Sequence, residues 1–390
     1  MTRKGRIAAD KICAEQLFPR ESASASRGMD DMTQEKIRLA LLGCGDVAQR
    51  DYLPEFHRLA DRAEIVAVCG RGEERARAVA QQYGIPAWYT DYEQMLAESD
   101  AQAVINLTPI QLHSETTLAA LQAGKHVYTE KPVASSVADA LAIRDEADKR
   151  GLVLVCAPCV RLFPQVRYAQ EQLAAGWMGA VYSARAYAHM GVPPWRGYTS
   201  DPTPFFAQGG GPAFDMGVYP LHVLTGLLGP VHRVTAFVGR ALESFVVEDG
   251  PVAGKRVAVE ADDNWQMLLD FGNGLLASLA ANNCVLGSRA PQVDIHGLRG
   301  TLALDPIDVS APIEVLRAGE GWQSIPPPAT GRAAGPDHHL GIEHLVECIE
   351  TGRPPILSAA HALHVIDILE KAARSSQEGQ AMTVTYGMLG

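Results

Sequence analysis

Two groups of side chains in this sequence have the types and spacing of an acid/base site. The first is Glu130 and Lys131, which follow the apolar run 127–129 and precede Pro132. Open α/β sheets bind ligands at the carboxyl ends of their strands, so a strand that ends in this way carries a charged pair to a binding site. Pro132 favours an extended conformation at Lys131. The ammonium could then polarise a hydroxyl or carbonyl, or the pair could be solvated residues ahead of a turn.

The second group is Asp215, Tyr219 and His222, which follow the glycine run 209–211. Spacings of four and three place them on one face of a predicted helix, and an acid, a phenol and an imidazole together suit proton transfer. Tyrosine has an ordinary pKa of about 10, which suits donation to a carbonyl. Beside the Lys131 cation it could also accept a proton, and His222 is the second candidate. Each residue also has a purely structural interpretation. Asp215 could cap the helix, Tyr219 could pack in the core, and His222 could be a buried imidazole with its hydrogen bonds satisfied.

A glycine turn follows the apolar run 37–42, and it reads Gly43-Cys44-Gly45-Asp46-Val47-Ala48. In a dinucleotide fingerprint the first glycine permits the tight turn and the second lets the backbone approach a pyrophosphate. The small third residue lets the following helix pack on the strand. We therefore predict that a helix begins here and binds phosphate at its N-terminus.

The end of the second predicted strand, at 64–69, indicates which dinucleotide binds. An Asp or Glu that would bind the ribose 2′-hydroxyl of NAD is replaced there by Arg71, between two glycines. A guanidinium could bind a 2′-phosphate, so NADP is favoured over NAD. Glu73 and Glu74 weaken this preference, and Arg71 could also be a solvated loop residue.

Strands and helices alternate around these motifs, which predicts a doubly wound parallel sheet over residues 35–158. Residues 159–390 predict an α+β domain with an open, mostly antiparallel sheet. The predicted helices are 73–83, 92–98, 113–123, 137–149, 165–174, 340–350 and 359–375. The predicted strands after the first two are 87–89, 103–107, 127–129, 152–155, 181–188, 233–238, 264–270, 275–280 and 291–295.

The glycine turn, Thr108-Pro109 with His113, and 123–127 leading into Glu130-Lys131-Pro132 resemble the Gfo/Idh/MocA family of NAD(P)-dependent oxidoreductases. The resemblance implies a Rossmann domain in which these motifs bind the cofactor. It also implies a C-terminal sheet that often forms the oligomer face, hence a homodimer or homotetramer.

The family usually has Asp-x-x-x-His, often with a later Asp, where this sequence has Asp215, Tyr219 and His222. Some relatives use a Tyr at the His position as the acid/base. The departure leaves open whether Tyr219 or His222 moves the proton.

The predicted reaction is hydride transfer between a nicotinamide and a carbinol or carbonyl carbon of a sugar, cyclitol or related polyol. Lys131 would polarise the oxygen, Tyr219 would exchange the proton, and Asp215 would position the substrate or tune the lysine. Two alternatives remain: a redox-neutral glycoside-cleaving enzyme that holds NAD(H) tightly, and a non-catalytic nucleotide-binding regulator. The substrate-binding candidates are Arg161, Trp195, Arg196, Asp215 and His222, although the first three could equally be packing residues.

The composition of the 390-residue chain indicates which classes of ligand it binds. The net charge is −11 and no long basic run follows the N-terminus, which argues against nucleic acid and membrane surfaces and favours a small-molecule ligand. Seven scattered cysteines are unlike a disulfide framework and fit a reducing cytoplasm. No metal site is predicted at His338-His339. Residues 1–34 are expected to be a polar tail.

Overall fold

The computed structural model describes residues 35–193, 195, 198 and 200–388. The predicted tail 1–34 therefore lies outside the described residues. Within the described ranges, no helix has both the length and the apolar character needed to cross a membrane.

The first half of the described chain forms a six-stranded parallel sheet with the order β3-β2-β1-β4-β5-β6. Its strands are β1 Ile37–Leu42, β2 Ala63–Cys69, β3 Ala87–Tyr89, β4 Ala103–Asn106, β5 His126–Thr129 and β6 Leu154–Cys156. Its helices are α1 Glu73–Tyr83, α2 Tyr92–Glu98, α3 His113–Gln122 and α4 Val137–Arg150. The predicted doubly wound sheet is confirmed.

The segment after the glycine turn differs from the predicted regular helix. It is a π-helix over Ala48–Tyr52 followed by a 3₁₀-helix over Leu53–Leu59. Pro54 has no N–H to donate to a carbonyl one turn back, and its ring would clash with that carbonyl in an α-helix. The proline therefore accounts for the change of winding.

The rest of the described chain forms a nine-stranded sheet with the order β16-β15-β14-β13-β7-β12-β11-β8-β17. Among the strand pairs described for this sheet, β7 with β12 is parallel and the others are antiparallel. The strands are β7 Val181–His189, β8 Arg233–Gly239, β11 Asn264–Asp270, β12 Leu276–Asn282, β13 Val293–Gly297, β14 Gly300–Leu304, β15 Ile313–Arg317, β16 Trp322–Ile325 and β17 Met382–Thr383. The mostly antiparallel sheet is thus confirmed.

A separate hairpin of β9 Ser244–Val246 and β10 Arg256–Ala258 lies outside both sheets. The helices of this half are α5 Pro164–Ala174, α6 Thr203–Phe206, α7 Val218–Leu228, α8 His339–Thr351 and α9 Ala359–Glu378, and the π-helix Ala213–Gly217 precedes α7. The hairpin packs with α6 around a small core of its own, made of Phe206, Phe245, Val247, Val257 and Val259.

Helix α8 of the second half packs against the first sheet at β5. A Cβ at Gly341 would lie 2.4 Å from the Tyr128 ring, so a glycine is needed for this approach. The contact ties the second half to the strand that ends in Glu130 and Lys131. The domain boundary at 158/159 stays a prediction.

Candidate active site

The carboxyl ends of β1, β2, β4 and β5 open into a cleft of about 1280 Å³. Ten of the predicted site residues line it: Gly43, Gly45, Asp46, Arg71, Thr108, Pro109, His113, Glu130, Lys131 and Asp215. Val47 and Ala48 do not line the cleft, and Ala48 is buried behind the turn. The volume is ample for a large ligand, since ligand pockets commonly span roughly 300–1,000 Å³.

The glycine turn has the geometry that a bound dinucleotide requires. Gly43 has φ +100°, and a Cβ there would lie 2.5 Å from the Leu107 carbonyl oxygen, so a side chain is excluded. At Gly45 no atom lies within 4 Å of the Cβ position, which leaves the backbone open to the cleft. The turn therefore fits the close approach of a pyrophosphate.

His113 joins two walls of the cleft. Its Nδ1 lies 2.7 Å from the Pro132 carbonyl and its Nε2 lies 2.7 Å from the Thr108 carbonyl. Burial lowers the pKa of His113, so a neutral ring donates to one of these carbonyls at a time. The side chain thus braces the loops that carry Thr108 and Lys131, although it also lines the cleft.

Lys131 and Asp215 meet across the two halves of the chain. The Lys131 Nζ donates to the Asp215 Oδ1 at 2.6 Å and to the Asp215 backbone carbonyl at 2.6 Å. The two side chains are 12% and 7% exposed, so the pair is mostly withdrawn from water. The same ammonium lies 4.9 Å from the centroid of the Tyr219 ring. The three residues therefore form one group, as the sequence predicts.

Tyr219 lies against Lys131 and does not itself line the cleft. Burial raises the pKa of Tyr219 well above its ordinary value, and Glu130 and Asp215 raise it further. The neighbouring Lys131 cation does not lower the pKa of Tyr219 overall, because desolvation and two carboxylates outweigh one ammonium. A phenol that stays protonated is suited to donate a proton.

His222 lies away from this group and does not line the cleft. Its Nδ1 lies 2.8 Å from the Val218 carbonyl, and its ring is 4.8 Å from that of His361. Three residues beyond Tyr219 correspond to a rise of about 4.5 Å along α7, which takes the imidazole into the core. Burial lowers the pKa of His222 to about 4, so the ring is neutral at physiological pH.

Two of the remaining substrate candidates, Arg161 and Trp195, do not line the cleft. Arg161 donates to the Ile356 carbonyl at 2.8 Å and does not line the cleft. Trp195 donates to the Gly191 carbonyl at 3.3 Å and stacks on Phe206. Both side chains therefore pack within the protein, and Arg196 lies outside the described residues.

Sequence reasoning missed several residues that line the cleft, including Arg75, Phe205 and Val252. Arg75 could have been considered, because it lies in the first turn of α1, four residues after Arg71. Phe205 and Val252 come from α6 and from the loop between β9 and β10. No local pattern marks them, since only the tertiary fold brings the hairpin to the cleft.

Metal ligands do not cluster in the part of the chain that the structure describes: it contains no group of three or more His, Cys, Asp or Glu able to hold an ion. His338 stacks on Tyr52, whereas the His339 Nδ1 lies 3.0 Å from Glu343. The two histidine side chains thus contact different residues and do not converge on one point.

Comparison with known proteins identifies the family. A model described as an oxidoreductase family with an NAD-binding Rossmann fold matches residues 37–157. The GFO/IDH/MocA C-terminal domain matches residues 166–303. The chain belongs to the Gfo/Idh/MocA oxidoreductase family.

Two relatives illustrate the range of family members. D-glucoside 3-dehydrogenase of Escherichia coli (strain K12) is 34% identical over 200 residues, which cover 51% of this chain and 56% of that protein. The chain thus spans little more than half the length of that relative. Trans-1,2-dihydrobenzene-1,2-diol dehydrogenase of Bos taurus is 27% identical over 327 residues, which cover 82% of this chain and 91% of that protein.

A solved family structure shares the fold. Levoglucosan dehydrogenase in complex with NADH superposes with a TM-score of 0.77 at 21% identity, covering 90% of this chain and 100% of that one. This similarity supports the two-sheet architecture.

Proposed function

We propose that this chain is an NAD(P)-dependent oxidoreductase that transfers a hydride between nicotinamide and a carbinol or carbonyl carbon of a sugar, cyclitol or related polyol. The observation that carries this proposal is the contact of Lys131 with Asp215 and Tyr219 at one end of the dinucleotide cleft. Relatives named as dehydrogenases of a glucoside and of a cyclic diol support a substrate with a ring and a secondary hydroxyl.

Each residue of the group has a distinct role in this proposal. The nicotinamide supplies or accepts the hydride when the cofactor is bound. Lys131 polarises the substrate oxygen, and Asp215 aims the ammonium through its carboxylate and its carbonyl. Tyr219 gives a proton to the oxygen during reduction and takes it back during oxidation, which balances the charge of hydride transfer.

The proposed cofactor is NADP in preference to NAD. Arg71 and Arg75 both line the cleft near the end of β2, where a 2′-phosphate would lie in a Rossmann site. Two guanidinium groups favour a phosphate, whereas a carboxylate there would favour the free hydroxyl. Glu74 also lines the cleft and moderates this preference.

A second candidate function is redox-neutral chemistry on a cofactor that stays bound between turnovers. Phe205 and Val252 line the cleft from α6 and the β9–β10 loop, and the glycine turn lines the same cleft from the end of β1. Gln111, beyond the end of β4, donates to the Pro204 carbonyl at 2.8 Å and joins the two walls. Contacts on both sides of a dinucleotide would slow its release. Redox-neutral chemistry requires slow release, because the same cofactor must be oxidised and reduced within one turnover. A non-catalytic regulator would not need the Lys131 group.

The proposed assembly is a homodimer or homotetramer through the nine-stranded sheet. Phe237, Leu268 and Leu276 lie on the neighbouring strands β8, β11 and β12 and are 83%, 59% and 56% exposed. Large apolar side chains grouped on a sheet are typical of an interaction surface. Light scattering of Phe237→Glu should show a smaller particle than the unmodified protein, and an unchanged mass would contradict this assembly.

The proposed compartment is the cytoplasm. The six cysteines in the described ranges are free thiols, and free thiols persist where the surroundings are reducing.

The experiment that separates these functions uses the purified full chain. Denaturation followed by mass spectrometry would identify any retained nucleotide. Absorbance at 340 nm would then follow reduction of added NADP or NAD with a panel of sugars, cyclitols and cyclic diols. A signal that is lost in Lys131→Met supports the dehydrogenase. Glycoside cleavage without added cofactor supports the second function, and the absence of nucleotide binding would refute both.

A further inference from the structure

Glu130 lies at the centre of a buried hydrogen-bond network at the reaction end of the cleft. The Tyr52 hydroxyl donates to the Glu130 Oε1 and lies 2.8 Å from the Tyr128 hydroxyl. The Lys131 backbone N–H donates to the Glu130 Oε2 at 2.9 Å. Both oxygens of Glu130 therefore accept hydrogen bonds. The side chain is 7% exposed, and that residual surface lines the cleft.

The ammonium next in sequence does not neutralise Glu130. The Lys131 Nζ forms its ion pair with Asp215, and no ion pair among the described residues includes Glu130. Counted over Glu130, Lys131 and Asp215, two carboxylates and one ammonium leave one negative charge. In the adjacent cluster, the ion pairs of the described residues join Asp46 and Asp51 to Arg50, and Asp51 also to Arg332.

The other titratable groups around Glu130 are uncharged. Burial raises the pKa values of Tyr52, Tyr128 and Tyr219 well above the ordinary tyrosine value. Burial lowers the pKa of His338, whose ring stacks on Tyr52, and it also lowers that of His113. Within the ranges that the structure describes, these groups thus offer Glu130 hydrogen bonds but no ion-pair partner.

The cofactor of the proposed reaction changes its charge at this place. An oxidised nicotinamide ring is cationic and a reduced ring is neutral. We propose that the Glu130 carboxylate selectively stabilises the oxidised cofactor, and so makes the bound reduced cofactor a stronger hydride donor than it is in water. This inference rests on the proposed function, because it requires a nicotinamide at the end of the cleft that Lys131 and Asp215 define.

The size of the effect follows from the burial of the charge. Two unit charges a few ångström apart in partly buried protein interact strongly enough to change an equilibrium constant by roughly 10- to 100-fold. The same charge acts only weakly on a neutral ring. The two cofactor forms should therefore respond differently to its removal.

The test compares the dissociation constants of NADP⁺ and NADPH for the full chain, measured by fluorescence and calorimetry. Glu130→Gln should raise the ratio of the NADP⁺ constant to the NADPH constant by roughly 10-fold or more. Glu74→Gln is the matched control: it removes the same charge from the same cleft near the end of β2, and it should change both constants by the same factor. An unchanged ratio in Glu130→Gln would overturn the inference.

A second variant reverses the sign of the perturbation and covers the case in which Glu130→Gln fails to fold. Lys131→Met removes the ammonium and leaves two carboxylates, so the ratio should fall by roughly 10-fold. A merely structural role of this region would move both constants together, and that result in Lys131→Met would also overturn the inference. If the unmodified protein binds neither form, the proposed function itself fails.

Discussion

Replacing Tyr219 by Phe tests the proton donor with little disturbance of the fold. The described contacts of Tyr219 are made by its ring, 4.9 Å from the Lys131 Nζ and 6.4 Å from the His338 ring. Phenylalanine keeps that ring, so the free energy of unfolding should change by about 1 kcal/mol or less. Loss of a general acid should lower kcat by roughly 10²- to 10⁴-fold, which is about 3 to 5 kcal/mol in the barrier.

His222→Ala is the matched comparison on the same helix. The imidazole is buried against His361 and does not line the cleft, so its removal opens a cavity. We expect a loss of roughly 2 to 4 kcal/mol in unfolding free energy, with kcat of the folded protein within a few-fold of the original. Steady-state kinetics, cofactor titration and urea unfolding of both variants show whether Tyr219 or His222 donates the proton. The reasoning fails if His222→Ala abolishes turnover in folded protein while Tyr219→Phe leaves kcat almost unchanged.

Three further predictions follow from the same contacts. Arg71→Asp should weaken NADP(H) binding by roughly a hundredfold and NAD(H) binding much less, and an equal loss in calorimetry would show that Arg71 does not face the 2′-position. Asp215→Asn leaves the largely buried Lys131 ammonium without its carboxylate, so the urea midpoint should fall with a loss of roughly 3 kcal/mol, and an unchanged midpoint would argue against the ion pair. As pH falls from 6.5 to about 4, unfolded His222 takes up a proton that the buried ring, with its pKa of about 4, refuses. The unfolded state then binds more protons, so stability should fall by about 3 kcal/mol in this window, and His222→Asn should remove that part of the profile.

The sequence predicted the limits of a helix or strand correctly where residues at its two ends, such as glycines, start and stop it. Helix α1 begins after Gly72 and ends at Gly84, which has φ +67°, and its predicted limits 73–83 are confirmed. The hairpin of β9 and β10 was missed because each strand has three residues, too few to show alternation. Its packing depends on Phe206, almost forty residues before the first of these strands, and no periodicity in either segment indicates that contact.

The candidate site shows the same division between local and tertiary information. Glu130 and Lys131 were found because a buried strand ends at them, and a strand end in a parallel sheet has a fixed place. His222 was placed at the cleft on helical spacing alone. Spacing determines direction around the helix axis but not depth along it, and about 4.5 Å of rise separates a residue at the site from one in the core. The position of Tyr52 beneath Glu130 had no sequence signal, because these residues are joined only by the packing of the sheet.

Helical spacing could not predict one feature of the Lys131 group, the use of a backbone carbonyl in the turn that precedes Pro220. Asp215 lies in the π-helix Ala213–Gly217, directly before α7. In π winding its carbonyl would accept from the residue five positions on, and that residue is Pro220, which has no N–H. The proline ring also crowds the carbonyl four positions back, so a regular α-helix is disfavoured through this turn. The Asp215 carbonyl accepts from the Lys131 ammonium at 2.6 Å. Asp215 thus aims the lysine with two oxygens, its backbone carbonyl and its carboxylate.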